Sequence, residues 1–371
     1  MANFLTDRLA DIRDQWLSSP RFRRLAAAFP LTRPIARRRA RELFDLCAGF
    51  VYSQVLSACV RLQLFERLAA QPLTVAALAP QLALEEPAVR RLLDAAVSLR
   101  LLGRRSGDRY GLGPLGAAMR NNPGISAMIE HHDLLYRDLA DPLALLRAGR
   151  DATRLGQYWA YASTSQPGSL EAARVAGYTA LMSASQSLVA EEIIDAYPMQ
   201  GHRCLLDVGG GDGTFLAAVG ARVPQLQLML FDLPAVAACG AARLAAAGLG
   251  PRATVYPGSF LQEELPSGAD VVSLVRIVHD HDDAAVGKLL AAVHRCLAPG
   301  GTLLIAEPMA GQRGAEAMAD AYFGIYLWAM GQGRARTVAE LAQLLKTAGF
   351  VAIRAVPTRL PLQTSLLVAR R

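Results

Sequence analysis

The residues best suited to chemistry lie in the second half of this sequence. Leu205 to Thr214 reads Leu-Leu-Asp-Val-Gly-Gly-Gly-Asp-Gly-Thr, placing Asp207, Gly209, Gly210, Gly211 and Gly213 between an apolar stretch and a helical one. Glycines have no Cβ, so the backbone there bends sharply and approaches a bound molecule closely. Asp232 stands 19 residues after Gly213, closing the next apolar stretch, with Leu233 and Pro234 behind it. A carboxylate at that place accepts the hydroxyl hydrogens of a ribose. A dinucleotide fingerprint requires Gly-x-Gly-x-x-Gly; counted from Gly209, its third glycine falls on Thr214. Adenosine without a pyrophosphate is therefore indicated. The plainer readings are a glycine turn without ligand and an Asp that only caps a helix.

Later strand ends carry further polar groups. Gly258-Ser259-Phe260 ends the third stretch, where Phe260 would cover an adenine ring and Ser259 would hydrogen-bond it. Val278-His279-Asp280-His281-Asp282-Asp283 ends the fourth, with Arg276 just before it, and Glu307 ends the fifth. An imidazole with an ordinary pKa near 6.5 is mostly neutral at pH 7 and able to accept a proton. His279 is the candidate general base and Glu307 the group that would hold its other nitrogen. His281 is the rival base, and a polar strand end without a role is the structural reading.

Regular alternation positions these groups. Strands are expected at 204–208, 226–231, 253–256, 271–278 and 302–306, with helices at 214–223, 235–247 and 284–297 between them. Helices at 317–330 and 338–348 and strands at 351–356 and 364–369 close the chain. Such alternation requires a mostly parallel sheet with helices on both faces. Upstream, 3–19 is an amphipathic helix, Pro20 and Pro30 to Pro34 break the pattern, and 41–70 is helical with a broad apolar stripe. A stripe so wide suggests a subunit interface. Residues 73–112 read as helix, helix and hairpin, a winged helix, with Thr74 capping the first helix and Pro87 opening the second. Its second helix lacks the Asn/Gln/Arg/Lys mixture that reads base edges, so dimerisation is preferred over DNA recognition. The divisions expected are a basic arm at 1–41, a helical winged-helix-like dimerisation domain at 42–173 and a ligand-binding α/β domain at 174–371.

Composition narrows the setting. Of the 371 residues 52% are hydrophobic, as in a globular protein. No run approaches 18 uninterrupted apolar residues, so no membrane-spanning helix is expected, and the start lacks a signal-peptide core. The five cysteines are scattered without a C-x-x-C pair, which favours reduced thiols in the cytoplasm and no metal site. The net charge of +7 is concentrated in eight arginines between residues 21 and 41, with no acid among them. This segment is a solvated arm, or an arm that touches anionic lipid with Phe22, Leu25, Phe29 and Leu31 dipping in, placing the protein at the inner membrane's periphery. Nucleic acid is a third partner for such charge, and not the expected one.

The motifs together resemble a known family. Leu-Asp-Val-Gly-Gly-Gly-Asp-Gly, Phe231-Asp232-Leu233-Pro234, Val278-His279-Asp280, Leu297-Ala298-Pro299-Gly300-Gly301 and Ala306-Glu307-Pro308 are similar to the S-adenosylmethionine (SAM)-dependent O-methyltransferases of the plant caffeate and acetylserotonin type. Within it, Gly-Ser-Phe, Val275 to Asp283, Ala306 to Met309 and the Arg-rich start look most like the bacterial carotenoid enzymes that methylate hydroxyneurosporene or demethylspheroidene. The resemblance implies a Rossmann-like class I methyltransferase domain (α/β) behind a mostly helical winged-helix dimerisation domain, and a homodimer. It implies SAM as cofactor and S-adenosylhomocysteine as product, held by Asp207, Gly209, Gly210, Gly211, Asp232, Leu233, Ser259, Phe260 and Arg276. The expected substrate is an apolar molecule bearing a hydroxyl, of which the tertiary 1-hydroxyl of an acyclic carotenoid is preferred. A phenolic or indolic metabolite is the alternative; carbon methylation of a tetrapyrrole and a SAM-responsive winged-helix regulator are more distant.

Helical spacing puts Met318, Tyr322, Ile325 and Ala329 on one face, with Tyr326 beside them and Met182 opposite. That stripe is either a substrate pocket or plain core. Two departures from the family stand out. Gly258-Ser259 replaces an Asp-Met or Asp-Phe pair before Phe260, and Ala335-Arg336-Thr337 replaces a Glu-Arg-Thr triplet, so the family's second histidine-bracing glutamate is missing.

Overall fold

The computed structural model describes residues 2–148, 153–159, 161, 167–169, 171–360 and 364–371. Its contacts separate two units, residues 1–120 and 121–371.

The first unit begins with helices Ala2–Ser18, Pro20–Ala28, Arg33–Arg61 and Leu64–Ala70. The arm is helical with breaks at Ser19 and at 29–32, where the prolines predicted them, except that Pro34 already lies in the first turn of the third helix. Pro20 occupies the first turn, where its missing N–H costs nothing, and Ser19 caps that turn by accepting from the Phe22 amide. The predicted 41–70 helix starts eight residues earlier, at Arg33, and breaks at Gln63, whose φ is 53°. Arg33–Arg61 is long and apolar enough to cross a membrane by length and composition, with a mean hydropathy of 1.5 over its best window. A windowed average admits what a count of uninterrupted apolar residues excludes. Leu43, Phe44, Leu46 and Phe50 on this helix are exposed.

Helices Val75–Leu82 and Glu86–Ser98 follow, with Thr74 capping the first through the Ala77 amide and Pro87 in the first turn of the second. Strands β1 (Leu73–Thr74), β2 (Leu102–Arg105) and β3 (Arg109–Leu112) form the antiparallel sheet β1-β3-β2, completing the winged-helix arrangement. Arg90 and Arg104, two of the cations around the second helix and wing, are paired with Asp108 and Asp94.

The second unit holds a seven-stranded sheet in the order β6-β5-β4-β7-β8-β10-β9. Its strands are β4 (Cys204–Val208), β5 (Gln227–Asp232), β6 (Ala253–Pro257), β7 (Val271–Val275), β8 (Thr302–Glu307), β9 (Val351–Val356) and β10 (Ser365–Arg370). All pairs from β6 to β8 are parallel; β10 runs antiparallel to both its neighbours. Central strands have apolar side chains on both faces. Leu206 and Val208 enter one core with Val272 and Ile305, while Leu205 enters the other with Leu228 and Val271. Strand order reverses at β4, between β5 and β7. Ligands bind at such switch points, beyond the carboxyl ends of the strands.

Helices Pro123–Asp138, Pro142–Ala148 and Arg154–Tyr158 belong to this unit and not with the dimerisation region, where the sequence division at 173 put them. Thr153 donates to the Ala329 carbonyl at 2.6 Å, and Leu135, Leu155 and Trp159 share one core with Tyr178 and Tyr326. The predicted 317–330 helix is two segments. Ala317–Phe323 is wound as a π-helix, and Gly324–Met330 as an α-helix. π-Turns of this kind gather at functional sites.

Candidate active site

Four loops at the carboxyl ends of β4, β5, β6 and β7 meet around one cavity of about 470 Å³. In the first, Gly209 and Gly211 have φ of 68° and 62°, left-handed values that side chains disfavour. The Gly209 amide donates to the Phe231 carbonyl at 2.8 Å, so the loop is stitched to the end of β5. Asp232 continues that seam. Its Oδ2 accepts from the Gly211 amide and its Oδ1 from the Leu233 amide, each at 2.7 Å. Burial pushes the Asp232 carboxyl up to about 7 against the pull of those two amides, with Asp212 adding to the rise.

Gly209, Gly210, Gly211, Asp232, Leu233, Ser259, Phe260, Arg276 and Met182 all line the cavity, as the sequence predicted. Asp207 does not. It is buried beneath the loop, where its Oδ1 accepts from the Ser273 hydroxyl at 2.6 Å. Its side chain props the loop from the β4–β7 seam, and burial pushes its carboxyl up to about 7. Arg276 reaches in from a left-handed position, φ 59°, just past β7. Its guanidinium donates to Ser185 Oγ at 2.8 Å and Gln186 Oε1 at 3.4 Å. Among the described residues no carboxylate lies within ion-pairing distance of it.

β7 ends at Val275, three residues short of the prediction, and His279 lies in a short 3₁₀ turn, Val278–Asp280. His279 is buried, with Nε2 3.1 Å from Asp280 Oδ1 and Nδ1 3.7 Å from Glu307 Oε2. Glu307 therefore stands beside the ring, as expected, but its hydrogen bond is to the His279 backbone amide, at 3.0 Å. The ring's bonded partner is Asp280, a role the sequence reading did not assign. Asp280 Oδ2 accepts from Tyr161 at 2.7 Å. Burial alone would lower the imidazole pKa, but Asp280 and Glu307 outweigh it and hold His279 above its ordinary value. His281, the rival base, is pushed down by burial and meets Phe260 edge-on, ring centres 5.2 Å apart. Asp280 and His281 line the cavity, whereas His279 lies behind Asp280, its ring 5.8 Å from that of Phe323.

The cavity's aromatic wall is Trp159, Tyr161 and Tyr178, with ring centres 5.3 to 6.0 Å apart. Sequence reasoning missed Tyr161 and Tyr178; the aromatic richness around residues 131–161 was the available signal for the first, and Tyr178 on helix Ala172–Ala196 had none. Of the expected stripe, Met318, Tyr322 and Tyr326 are not on the cavity. The wider winding of the π segment rotates Met318 and Tyr322 relative to Ile325 and Ala329, which follow in α-helix, so the four no longer share one face. Tyr326 sits behind the wall, its hydroxyl accepting from Trp159 Nε1 at 2.8 Å and meeting His131 Nε2 at 2.8 Å. Tyr322 is likewise bonded to His132 Nε2, at 2.7 Å.

Comparison with known proteins gives this site its context. The O-methyltransferase domain model matches residues 136–351, and the O-methyltransferase dimerisation domain model matches residues 44–121. The chain belongs to the O-methyltransferase family. It is 44% identical to the demethylspheroidene O-methyltransferase of Cereibacter sphaeroides, over 95% of this chain and 93% of that one. It is 39% identical to the protein of the same name from Rhodobacter capsulatus, over 95% and 88%. Human N-acetylserotonin methyltransferase, solved in complex with SAM, aligns with a TM-score of 0.73 at 24% identity, over 90% of this chain and 97% of that one, a likeness of fold.

The methyltransferase uses SAM as its cofactor, and the site's own features fit that molecule. Asp232 offers a carboxylate whose oxygens are already aimed by backbone amides. Phe260 and His281 present ring surface, and Arg276 offers a cation that makes no ion pair among the described residues. The dimerisation match makes the enzyme a homodimer. That match also covers Leu46, Phe50 and Val51, which are exposed on helix Arg33–Arg61.

Proposed function

We propose that this O-methyltransferase methylates the tertiary 1-hydroxyl of an acyclic carotenoid of the demethylspheroidene type, with His279 as general base. The observation that carries the substrate is the 44% identity across 95% of the chain to the Cereibacter sphaeroides enzyme. An apolar substrate suits a cavity walled by Trp159, Tyr161, Tyr178, Met182 and Val236. Incubation with labelled SAM and a panel of hydroxylated carotenoids and phenols tests this. Label is expected in the carotenoids; label in phenols alone replaces this substrate with an aromatic one.

Bound SAM supplies an electrophilic methyl carbon. The protein's part is to bring an oxygen to it and to take that oxygen's proton. Asp232 would take the ribose hydroxyls, Ser259 and Phe260 the adenine, and Arg276 the carboxylate of the methionyl end. A tertiary alcohol is far less acidic than a phenol, whose pKa is about 10, so proton removal must accompany methyl transfer. The ring's placement selects the acceptor. His279 Nε2, beside the cavity-lining Asp280, is the nitrogen that would take the proton, while Nδ1 is turned to the buried Glu307 at 3.7 Å. Asp280 and Glu307 would then stabilise the imidazolium as it forms.

We further propose that residues 1–41 form a membrane-contacting segment that brings the enzyme to its lipid-dissolved substrate on the cytoplasmic side. Trp16, Leu25, Phe29 and Leu31 are exposed alongside the eight arginines, and this stretch lies ahead of the dimerisation match. Basic helices with exposed aromatic and aliphatic side chains bind anionic interfaces. In vesicle flotation the full chain should float with anionic liposomes, and a chain lacking residues 1–41 should not. Equal flotation of both rejects the lipid role.

A further inference from the structure

Arg336 is fully buried, the one Lys or Arg in that state among the described residues. A buried guanidinium is stable only when its donors are matched by acceptors. Here they are. Nε and Nη2 donate to Asp283 Oδ1 at 2.8 and 2.7 Å. Nη1 donates to the Val278 carbonyl at 2.9 Å, with the Arg334 carbonyl at 3.5 Å, and Nη2 donates to the His281 carbonyl at 2.7 Å. Val278 and His281 flank His279 and Asp280. One planar group therefore ties down both ends of the turn that carries them.

The backbone delivering Arg336 is itself fixed. Its carbonyl accepts from the Ala310 amide at 2.9 Å, just beyond β8. The next residue, Thr337, forms a capping box with Glu340 at the start of helix Val338–Thr347. Three residues before Arg336, Gly333 lies against the turn so closely that an added Cβ would collide with the His279 carbonyl. The segment 333–337 is thus moulded to the back of the turn.

We infer that Arg336 is a positioning residue for methyl transfer, clamping the 278–281 backbone so that His279 and Asp280 keep their relative geometry. The inference rests on the proposed role of His279. Arg336 touches neither the cavity nor any cofactor-lining loop other than this turn. The cofactor contacts assigned to Asp232, Ser259 and Arg276 lie outside the clamped backbone, so its loss acts first on the proton-accepting pair. Lysine carries the same charge but cannot span two carbonyls and a carboxylate with a flat fork.

The test is Arg336→Lys in the full chain, alongside His279→Ala. Arg336→Lys should lower kcat by about 10- to 100-fold, the effect of an ångström-scale misplacement of a reacting group. The SAM dissociation constant should stay within about twofold of wild type. The acidic limb of the kcat–pH profile should move, because the Asp280–His279 contact sets the base's proton affinity. Wild-type kcat and pH profile in Arg336→Lys overturn the inference, as does a parallel loss of SAM affinity, which marks a role in folding alone. Where Arg336→Lys is recovered unfolded, Gly333→Ala, which displaces the same turn from its other side, is judged by the same readouts. A fully active His279→Ala overturns the reading beneath the inference. An inactive His279→Ala beside an unaffected Arg336→Lys overturns only the clamp.

Discussion

Replacing His279 by alanine should lower turnover by about 10²- to 10⁴-fold, the usual contribution of a positioned general base, while leaving SAM affinity nearly unchanged. The two effects separate because His279 lies behind Asp280 and off the cavity, while the adenosine-side contacts come from the loops after β4, β5 and β6. The alanine also frees Asp280 and Glu307 of the ring that stands between them. The pH dependence is a second signature. A base must be unprotonated to act, and the flanking carboxylates hold this imidazole above its ordinary value. Wild-type activity should therefore begin to fall, as pH is lowered, at a higher pH than an unperturbed histidine near 6.5 would give. Steady-state kinetics from pH 5.5 to 9 and calorimetric SAM binding provide both readouts. An alanine variant that keeps full turnover removes His279 from the mechanism.

The second large effect is expected at Asp232. Asp232→Ala strips two backbone donors, the Gly211 and Leu233 amides, of the acceptor that orders them. It also removes the carboxylate for the ribose. Hydrogen bonds to a charged group are worth about 1.5 to 3 kcal/mol each, and a net loss of about 3 kcal/mol weakens binding by about 10²-fold. We expect a SAM dissociation constant raised by at least about that factor. Proton linkage sharpens the test. The Asp232 carboxyl is pushed up to about 7 by burial, and the neighbouring Asp207 likewise. Ribose hydroxyls favour the ionised form, so affinity is present above that pKa and declines below it, approaching tenfold per pH unit if one group dominates. Binding near pH 6.5 should release protons, measurable by titration calorimetry in buffers of different ionisation enthalpy. An unchanged dissociation constant in Asp232→Ala contradicts the Asp232 assignment, and one that stays flat from pH 5.5 to 8 in the wild type contradicts the raised pKa.

Much of this site was legible in the sequence because it rests on local rules. Glycines at 209 and 211 are needed for left-handed backbone, and Asp232 closes a strand at the spacing an adenosine site uses. The strands of the parallel sheet announced themselves as apolar runs ending in those polar residues. What was hidden depends on packing between distant segments. Tyr161 and Tyr178 become one wall only when two helical stretches meet over the sheet. Asp280 was read as part of a motif, yet its bond to the His279 ring depends on β7 ending early and the chain turning through a 3₁₀ segment. The π-wound Ala317–Phe323 breaks the period that joined Met318 and Tyr322 to Ile325 and Ala329 in one face. Ala335 was visible as a departure from the family, but the buried Arg336 beside it shows what holds the histidine turn here. Pro20 was read as a break, and the chain does break at Ser19, but the same proline also opens the next helix, which Ser19 caps.

The placement of the tryptophans gives the enzyme two optical gauges of its own. The chain has three such residues. Trp159 forms part of the cavity wall, its indole N–H committed to Tyr326 and its ring edge-on to Tyr158 and Tyr161. Trp16 stands on the exposed N-terminal helix, beside Phe22. A ligand entering the cavity changes the surroundings of the first, and a surface that receives the arm changes those of the second. Emission from single-tryptophan forms would thus separate cofactor capture from surface docking in one cuvette, without labels.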